Sequence, residues 1–161
     1  MQELIIGLGS NLGDRRKNIE TAIELIRAQI GPVAAVSTFI ETEPWGFESN
    51  NQFLNCAVII EVGDENDANG RLSPSGIIEI LQSIESGFGR VRTGVYTDRA
   101  IDLDILFYSD RIINEPGLTV PHPKLHERDF ILMSLMELCP DKVHPVLGKS
   151  VREIRNALLL H

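Results

Sequence analysis

An α+β fold is predicted by three features of this sequence. They are the order of its alternating and helical apolar patterns, the turn-rich segments between them, and two added helical patterns at the C-terminal end. The order is strand, helix, strand, strand, helix, strand, which is the βαββαβ arrangement of a ferredoxin-like sheet with helices packed on it. The chain has 161 residues and is 43% hydrophobic, enough for one domain over residues 1–161 with a substantial core.

Each element has its own signal. "ELIIGLG", residues 3–9, reads as a buried strand. From Asp14, "DRRKNIETAIELIRAQI" sets Ile19, Ala22, Ile23 and Ile26 at helical spacing. "PVAAVSTFIETE" and "QFLNCAVIIEV" read as two strands joined by "PWGFESNN", a loop too aromatic to be only a linker. "GDENDANGRLSPSG" is a polar surface connection, and the insert over residues 63–72 has no assigned role. Ser73 or Ser75 starts a helix that ends near Gly87 or Gly89. "RAIDLDILFY", residues 99–108, is the next strand, and "ERDFILMSLMELC" and "SVREIRNALLLH" are the added helical patterns.

That last strand carries an anomaly. Asp is depleted from strands, and residues two apart project from the same side, so Asp102 and Asp104 stand together at one end of an otherwise apolar segment. The period of two places Leu106 and Tyr108 on the aspartate face, with Ile101, Leu103, Ile105 and Phe107 opposite. A solvated strand face is one reading of the pair. The other is a site for a hard divalent cation such as Mg2+, which takes oxygen ligands and shares them with substrate phosphates.

The net charge of -8 argues against a nucleic-acid or anionic-membrane surface. Cys56 and Cys139 have no metal-ligand spacing, the N-terminus lacks the pattern of a signal peptide, and no apolar run reaches membrane-spanning length. A protein of the reducing cytoplasm is therefore expected, and a monomer is taken as the default.

Two glycine motifs are misleading. "GLGSNLG" has its glycines at the wrong spacing for a dinucleotide fingerprint, and "GKS" at residues 148–150 has Val143 where a P-loop needs its first glycine.

Ahead of the aspartates, "GRVRTGVYTDR" gathers Arg90, Arg92 and Arg99 around Gly89 and Gly94. Alone it reads as a basic surface loop. Joined to the aspartate strand, it offers guanidinium forks to phosphate oxygens beside a metal-binding pair. In "FLNCA", Phe53 and Asn55 share one strand face. Singly they read as a core ring and a satisfied buried amide, and together they also form a seat for a flat heterocycle. "VPHPKLHERDF" adds His122, Arg128 and Phe130, with His122 either structural or a donor to phosphate.

Taken together, "GLGSNLGDR", "ETEPWGF", "QFLNCAV", "GRVR", "DRAIDLDIL" and "VPHPKLHERDFIL" occur in the order found in the 6-hydroxymethyl-7,8-dihydropterin pyrophosphokinase family, which the chain resembles from about residue 5 to about residue 145. The resemblance implies an enzyme of folate biosynthesis that moves the terminal pyrophosphate of ATP onto the pterin alcohol and releases AMP. By position it implies that Asp102 and Asp104 hold two Mg2+ ions brought with ATP. It places Gln82, Glu85, Arg90, Arg92, Arg99, His122 and Arg128 around the nucleotide. Thr42, Pro44, Trp45, Phe53, Asn55 and Phe130 fall around the pterin, with Arg90, Arg99, Asp102 and Asp104 as the catalytic group. Where many relatives have an aromatic-Gly-Pro-Arg run, this chain reads Tyr96, Thr97, Asp98, Arg99. A ferredoxin-like module that binds a nucleotide or metabolite without catalysis is the alternative, because that fold hosts many functions.

Overall fold

The computed structural model describes residues 2–63, 72–89 and 97–160. The elements are β1 (Gln2–Ser10), α1 (Arg15–Gln29), β2 (Val33–Val36), β3 (Ile40–Thr42), β4 (Phe53–Val62), α2 (Pro74–Gly87), β5 (Asp102–Tyr108), β6 (Ile113–Glu115), β7 (Leu118–Val120), α3 (Asp129–Leu138) and α4 (Val151–Leu159). The main sheet is antiparallel, with β1 between β4 and β5 and with β2 and β3 both paired to β4. This is the ferredoxin-like order, with the second strand split in two. The short β6–β7 hairpin lies apart from it. Its strands of three residues are too short to show an alternation in sequence.

Local chemistry sets the helix ends. Asp14 accepts from Lys17 N at the start of α1, and Ser73 accepts from Gly76 N at the start of α2, with Pro74 in the first turn. Ser150 and Glu153 form a reciprocal capping box on α4. The buried residues of α1 are Ile19, Ala22, Ile23 and Ile26, the stripe that its spacing predicts.

Each sheet face has a core. Leu4, Ile6, Leu8, Cys56, Val58 and Ile60 pack with the stripes of α1 and α2, whereas Ile5, Ala57, Leu106 and Phe107 pack with α3 and α4. The C-terminal helices therefore cover the face that α1 and α2 leave bare. Among the described residues no helix is long and apolar enough to cross a membrane.

Two expectations are corrected. The segment 32–43 is not one strand. Ser37 is buried, its N–H donates to Ala57 O at 2.9 Å, and its hydroxyl accepts from Ala57 N at 2.8 Å. The side chain thus takes a ladder bond that backbone would otherwise make. Glu137 of α3 accepts from the N–H and hydroxyl of Thr38, holding the break open. In β5, the register slips between Ile5 and Ile6 of β1, so Ile5 faces Phe107 while Ile6 faces Ile105. A bulge reverses the facing of everything beyond it. Phe107 accordingly joins Leu106 in the α3–α4 core. Tyr108 joins the α1–α2 core, where its hydroxyl donates to Leu72 O at 3.0 Å.

Candidate active site

The α3–α4 face is open at the end of the sheet where Asp102 begins β5. Asn55, Gly9 and Asp102 form one row across β4, β1 and β5, and Ala57, Gly7 and Asp104 form the next row. Directly paired residues point to the same face, so Asn55 and Asp102 stand two strand spacings apart, about 9–10 Å, with nothing but a glycine between them. Gly7 lies between Ala57 and Asp104 in the same way, with the Leu106 side chain packed over it.

Aromatic side chains wall one side of this depression. Trp45, Phe47, Phe53 and Phe130 line it together with Thr42 and Asn55. Phe47 meets Phe53 edge-on, with centroids 6.2 Å apart. Asn55 Nδ2 donates to Thr42 Oγ1 at 2.6 Å, an interaction that fixes the amide across the β3–β4 pair.

The other side is charged. Arg99, Asp102, Asp104 and Arg128 line it. Arg99 and Arg128 are each only 8% exposed, which is unusual for a guanidinium and requires compensating partners. Arg99 donates from Nε to Thr97 O at 2.8 Å, approaches Asp102 Oδ2 at 3.5 Å, and lies 5.5 Å above the Phe53 ring. Arg128 stacks on Trp45 at 4.2 Å. Both cations thus lie against aromatic rings, and Arg99 also links its rings to Asp102.

Asp104 also borders a second depression lined by Gln82, Leu103, His122 and Pro123. His122 Nε2 lies 4.0 Å from Asp104 Oδ2, and its Nδ1 accepts from Lys124 N at 3.0 Å. Burial, helped by the charge of Arg128, pushes the His122 pKa down to about 4. The ring is therefore neutral at physiological pH, and the Lys124 bond assigns its proton to Nε2, facing Asp104. Glu85 is 2% exposed on α2, with Oε2 accepting from Leu103 N at 2.9 Å, so it braces the backbone between the two aspartates.

The structure brings Thr42, Trp45, Phe53, Asn55, Phe130, Arg99, Asp102, Asp104 and Arg128 to one depression, and Gln82 and His122 to its neighbour. Pro44 does not line either, and Arg90 and Arg92 lie outside the described residues. Gly7, Gly9, Phe47 and Ser134 are lining residues that the sequence reading did not single out. For the glycines a signal existed, since their spacing of two puts both on one strand face.

A family model described as 7,8-dihydro-6-hydroxymethylpterin-pyrophosphokinase (HPPK) matches residues 5–140. The chain is 40% identical over 149 residues to the 2-amino-4-hydroxy-6-hydroxymethyldihydropteridine pyrophosphokinase of Porphyromonas gingivalis, an alignment that covers 90% of this chain and 95% of the relative. It is 39% identical over 135 residues to the protein of the same name from Bacillus subtilis, covering 83% and 76% of the two chains. Wild-type HPPK-DHPS from Plasmodium falciparum shares the fold, with a TM-score of 0.74 at 17% identity over 97% of this chain and 44% of that one. Because the family match spans most of the chain and the relatives align over nearly all of it, the chain belongs to the 7,8-dihydro-6-hydroxymethylpterin-pyrophosphokinase family.

Proposed function

We propose that the depression on the α3–α4 face is where this pyrophosphokinase of folate biosynthesis moves the terminal pyrophosphate of ATP onto the hydroxymethyl oxygen of 6-hydroxymethyl-7,8-dihydropterin. The observation that carries the reading is the row Asn55, Gly9, Asp102. It spaces a pterin-reading amide from a carboxylate by about the length of a fused bicyclic ring and its substituent, two strand separations.

Phe53 and Phe130 would enclose the pterin faces, while Asn55 and Thr42 meet its polar edge. Trp45 and the chain near Pro44 would close the pocket from the loop side. Arg99 and Arg128 would hold the phosphates in their guanidinium forks, with Gln82, Glu85 and His122 on the nucleotide side, and the family resemblance adds Arg90 and Arg92 to the nucleotide-binding group. The bond that forms joins the hydroxymethyl oxygen to the β-phosphorus; the bonds that break are the O–H of that alcohol, whose proton passes to water, and the bond from that phosphorus to the oxygen bridging to the α-phosphate, which leaves with AMP. Such transfers ask the protein chiefly for alignment and charge stabilisation, and alignment alone can supply about 7–11 kcal/mol.

Asp102 and Asp104 would hold the Mg2+ that accompanies ATP. Their donor set fits a hard cation: only carboxylate oxygens, with side chains 21% and 28% exposed and so open to solvent and ligand. Among the described residues no three His, Cys, Asp or Glu side chains converge, so phosphate oxygens and water have to complete the shell. When bound, the cation supplies neutralisation of phosphate charge. The chain of contacts from Asp102 to Arg99 to Phe53 would let the filled site and the aromatic wall support each other.

A non-catalytic module is not favoured, because relatives named as pyrophosphokinases align over nearly the whole chain. The deciding experiment incubates the protein with ATP, Mg2+ and the reduced pterin and separates the nucleotides. AMP with a pterin pyrophosphate is the expected result. ADP, or an unchanged nucleotide pool, overturns the assignment.

A further inference from the structure

We propose that Asp98 is a positioning residue, the joint that fastens the loop over residues 43–52 to the backbone of Arg99 and so sets the pterin wall and the phosphate-facing cation in one step.

The joint is built through Asn11, which is 3% exposed at the end of β1. Its side-chain oxygen accepts from Arg99 N at 2.6 Å, and its own N–H donates to Arg99 O at 3.0 Å, so the backbone of Arg99 is gripped from both sides. The amide nitrogen of Asn11 donates to Asp98 Oδ1 at 2.8 Å and to Asn51 O at 3.3 Å. These partners also fix which end of the amide is which: the oxygen must face an N–H and the nitrogen a carboxylate. The second oxygen of Asp98 accepts from Asn51 Nδ2 at 3.1 Å. Ser49 first, then Asn11, Asn51 and the charge of Arg99, hold the Asp98 carboxyl below the usual range.

Ser49 and Asn51 belong to the loop that also carries Trp45 and Phe47, two of the aromatic lining residues. Arg99 in turn sits 5.9 Å from the Phe47 ring and 5.5 Å from that of Phe53. The loop is therefore attached to the Arg99 segment twice, by hydrogen bonds at Asp98 and by rings beneath the guanidinium. A carboxylate suits the polar attachment because it alone offers two acceptor oxygens to two amide donors at once, and charge strengthens each bond. If the attachment fails, the aromatic wall loses its anchor. Pterin binding suffers before the bond-making step does.

This inference rests on the assignment of the depression to a pterin, so its test has one arm that needs no substrate. Amide hydrogen exchange over residues 47–52 in the free protein is compared among wild type, Asp98→Ala, Asn51→Asp, and the exchanged pair Asp98→Asn with Asn51→Asp. The single Asn51→Asp change sets two carboxylates against each other. In the exchanged pair, the new amide at position 98 can accept from Asn11 and donate to the new carboxylate at position 51. Exchange should rise about fivefold to tenfold in both single variants, in keeping with the loss of a charge-assisted hydrogen bond that is partly exposed. It should return to within about threefold of wild type in the exchanged pair. The second arm measures steady-state kinetics at saturating ATP, where pterin KM should follow the same pattern and kcat should move less. An exchanged pair no better protected than Asn51→Asp alone overturns the joint, and so does unchanged pterin KM in variants whose loop has loosened. If the wild-type protein does not turn over the pterin, the functional assignment fails while the exchange data still decide whether the joint exists.

Discussion

Gly9 stands directly opposite Asp102 in the antiparallel pairing of β1 with β5. On its other side it is paired with Asn55 of β4. A Cβ added at Gly9 would lie 3.0 Å from Asn55 Oδ1 and 3.4 Å from Phe53 Cδ1. Any side chain here therefore presses on the two groups proposed to hold the heterocycle. Glycine is required for space rather than for backbone conformation.

The consequence is a selective loss. Gly9→Ala should weaken pterin binding by about 1–2 kcal/mol, roughly fivefold to thirtyfold, through displacement of the Asn55 amide. Affinity for a non-hydrolysable ATP analogue with Mg2+ should change much less, since the clash is on the aromatic side. Calorimetry with each ligand separates the two. Equal weakening of both would mean that the glycine serves the sheet as a whole.

Asp102→Asn and Asp104→Asn should each lower kcat by at least about a hundredfold, the scale for removing one preorganised electrostatic contact. Asp102 lies 3.5 Å from the buried Arg99. Neutralising Asp102 removes a counter-charge from a guanidinium that is 8% exposed, so the thermal midpoint of that variant should also fall below wild type. Scanning calorimetry of both variants beside single-turnover kinetics tests the pair. Near-normal turnover in either one refutes its proposed role.

How much of this was legible in the sequence depended on the range of the interaction involved. The shared face of Asp102 and Asp104 follows from the period of a strand, and the stripe of α1 from that of a helix, so both could be read directly. The exchange of faces by Phe107 and Tyr108 could not, because the bulge exists only against β1. The break at Ser37 likewise depends on Ala57, twenty residues away in sequence, and on Glu137. Most instructive is "GLG", dismissed as a false dinucleotide fingerprint. Its dinucleotide reading fails on spacing, but its role as a strip without side chains between Asn55 and Asp102 needs the strand order before it can be seen.

Glu85 supplies a third prediction. Its carboxylate holds Leu103 N, the amide between the two aspartates, so helix α2 carries part of the burden of placing them. Glu85→Ala should cost about 1–3 kcal/mol of stability by leaving a buried donor without this acceptor, whereas Glu85→Gln keeps an acceptor oxygen and should cost less. Urea denaturation of the two variants is the measurement. An alanine variant within about 0.5 kcal/mol of wild type would remove the bracing role.

The last prediction concerns pH and lies away from the depression. His144 is 6% exposed, packs edge-on against Phe107 at 5.8 Å, and accepts at Nδ1 from the N–H groups of Val146 (3.2 Å) and Leu147 (3.1 Å). Burial first, and the nearby His126 second, hold its pKa below the ordinary value. A proton on Nδ1 would displace both backbone donors, so the folded protein favours the neutral ring. The unfolded chain takes up that proton near pH 6.5. Below that pH the unfolded state therefore binds more protons than the folded state, and stability must fall as the solution becomes more acidic, until the lowered folded pKa is passed. The contribution is fully present above about pH 6.5. His122 shifts in the same direction, to about 4, and adds to the loss in wild type. His144→Asn isolates the effect, because its amide oxygen can accept from the same turn without titrating. Thermal midpoints measured between about pH 7.5 and pH 5 should fall in both proteins, but less steeply in the variant. Parallel slopes would show that His144 takes up its proton equally in the folded and unfolded states, and the two backbone hydrogen bonds to Nδ1 would then not be what keeps the ring neutral.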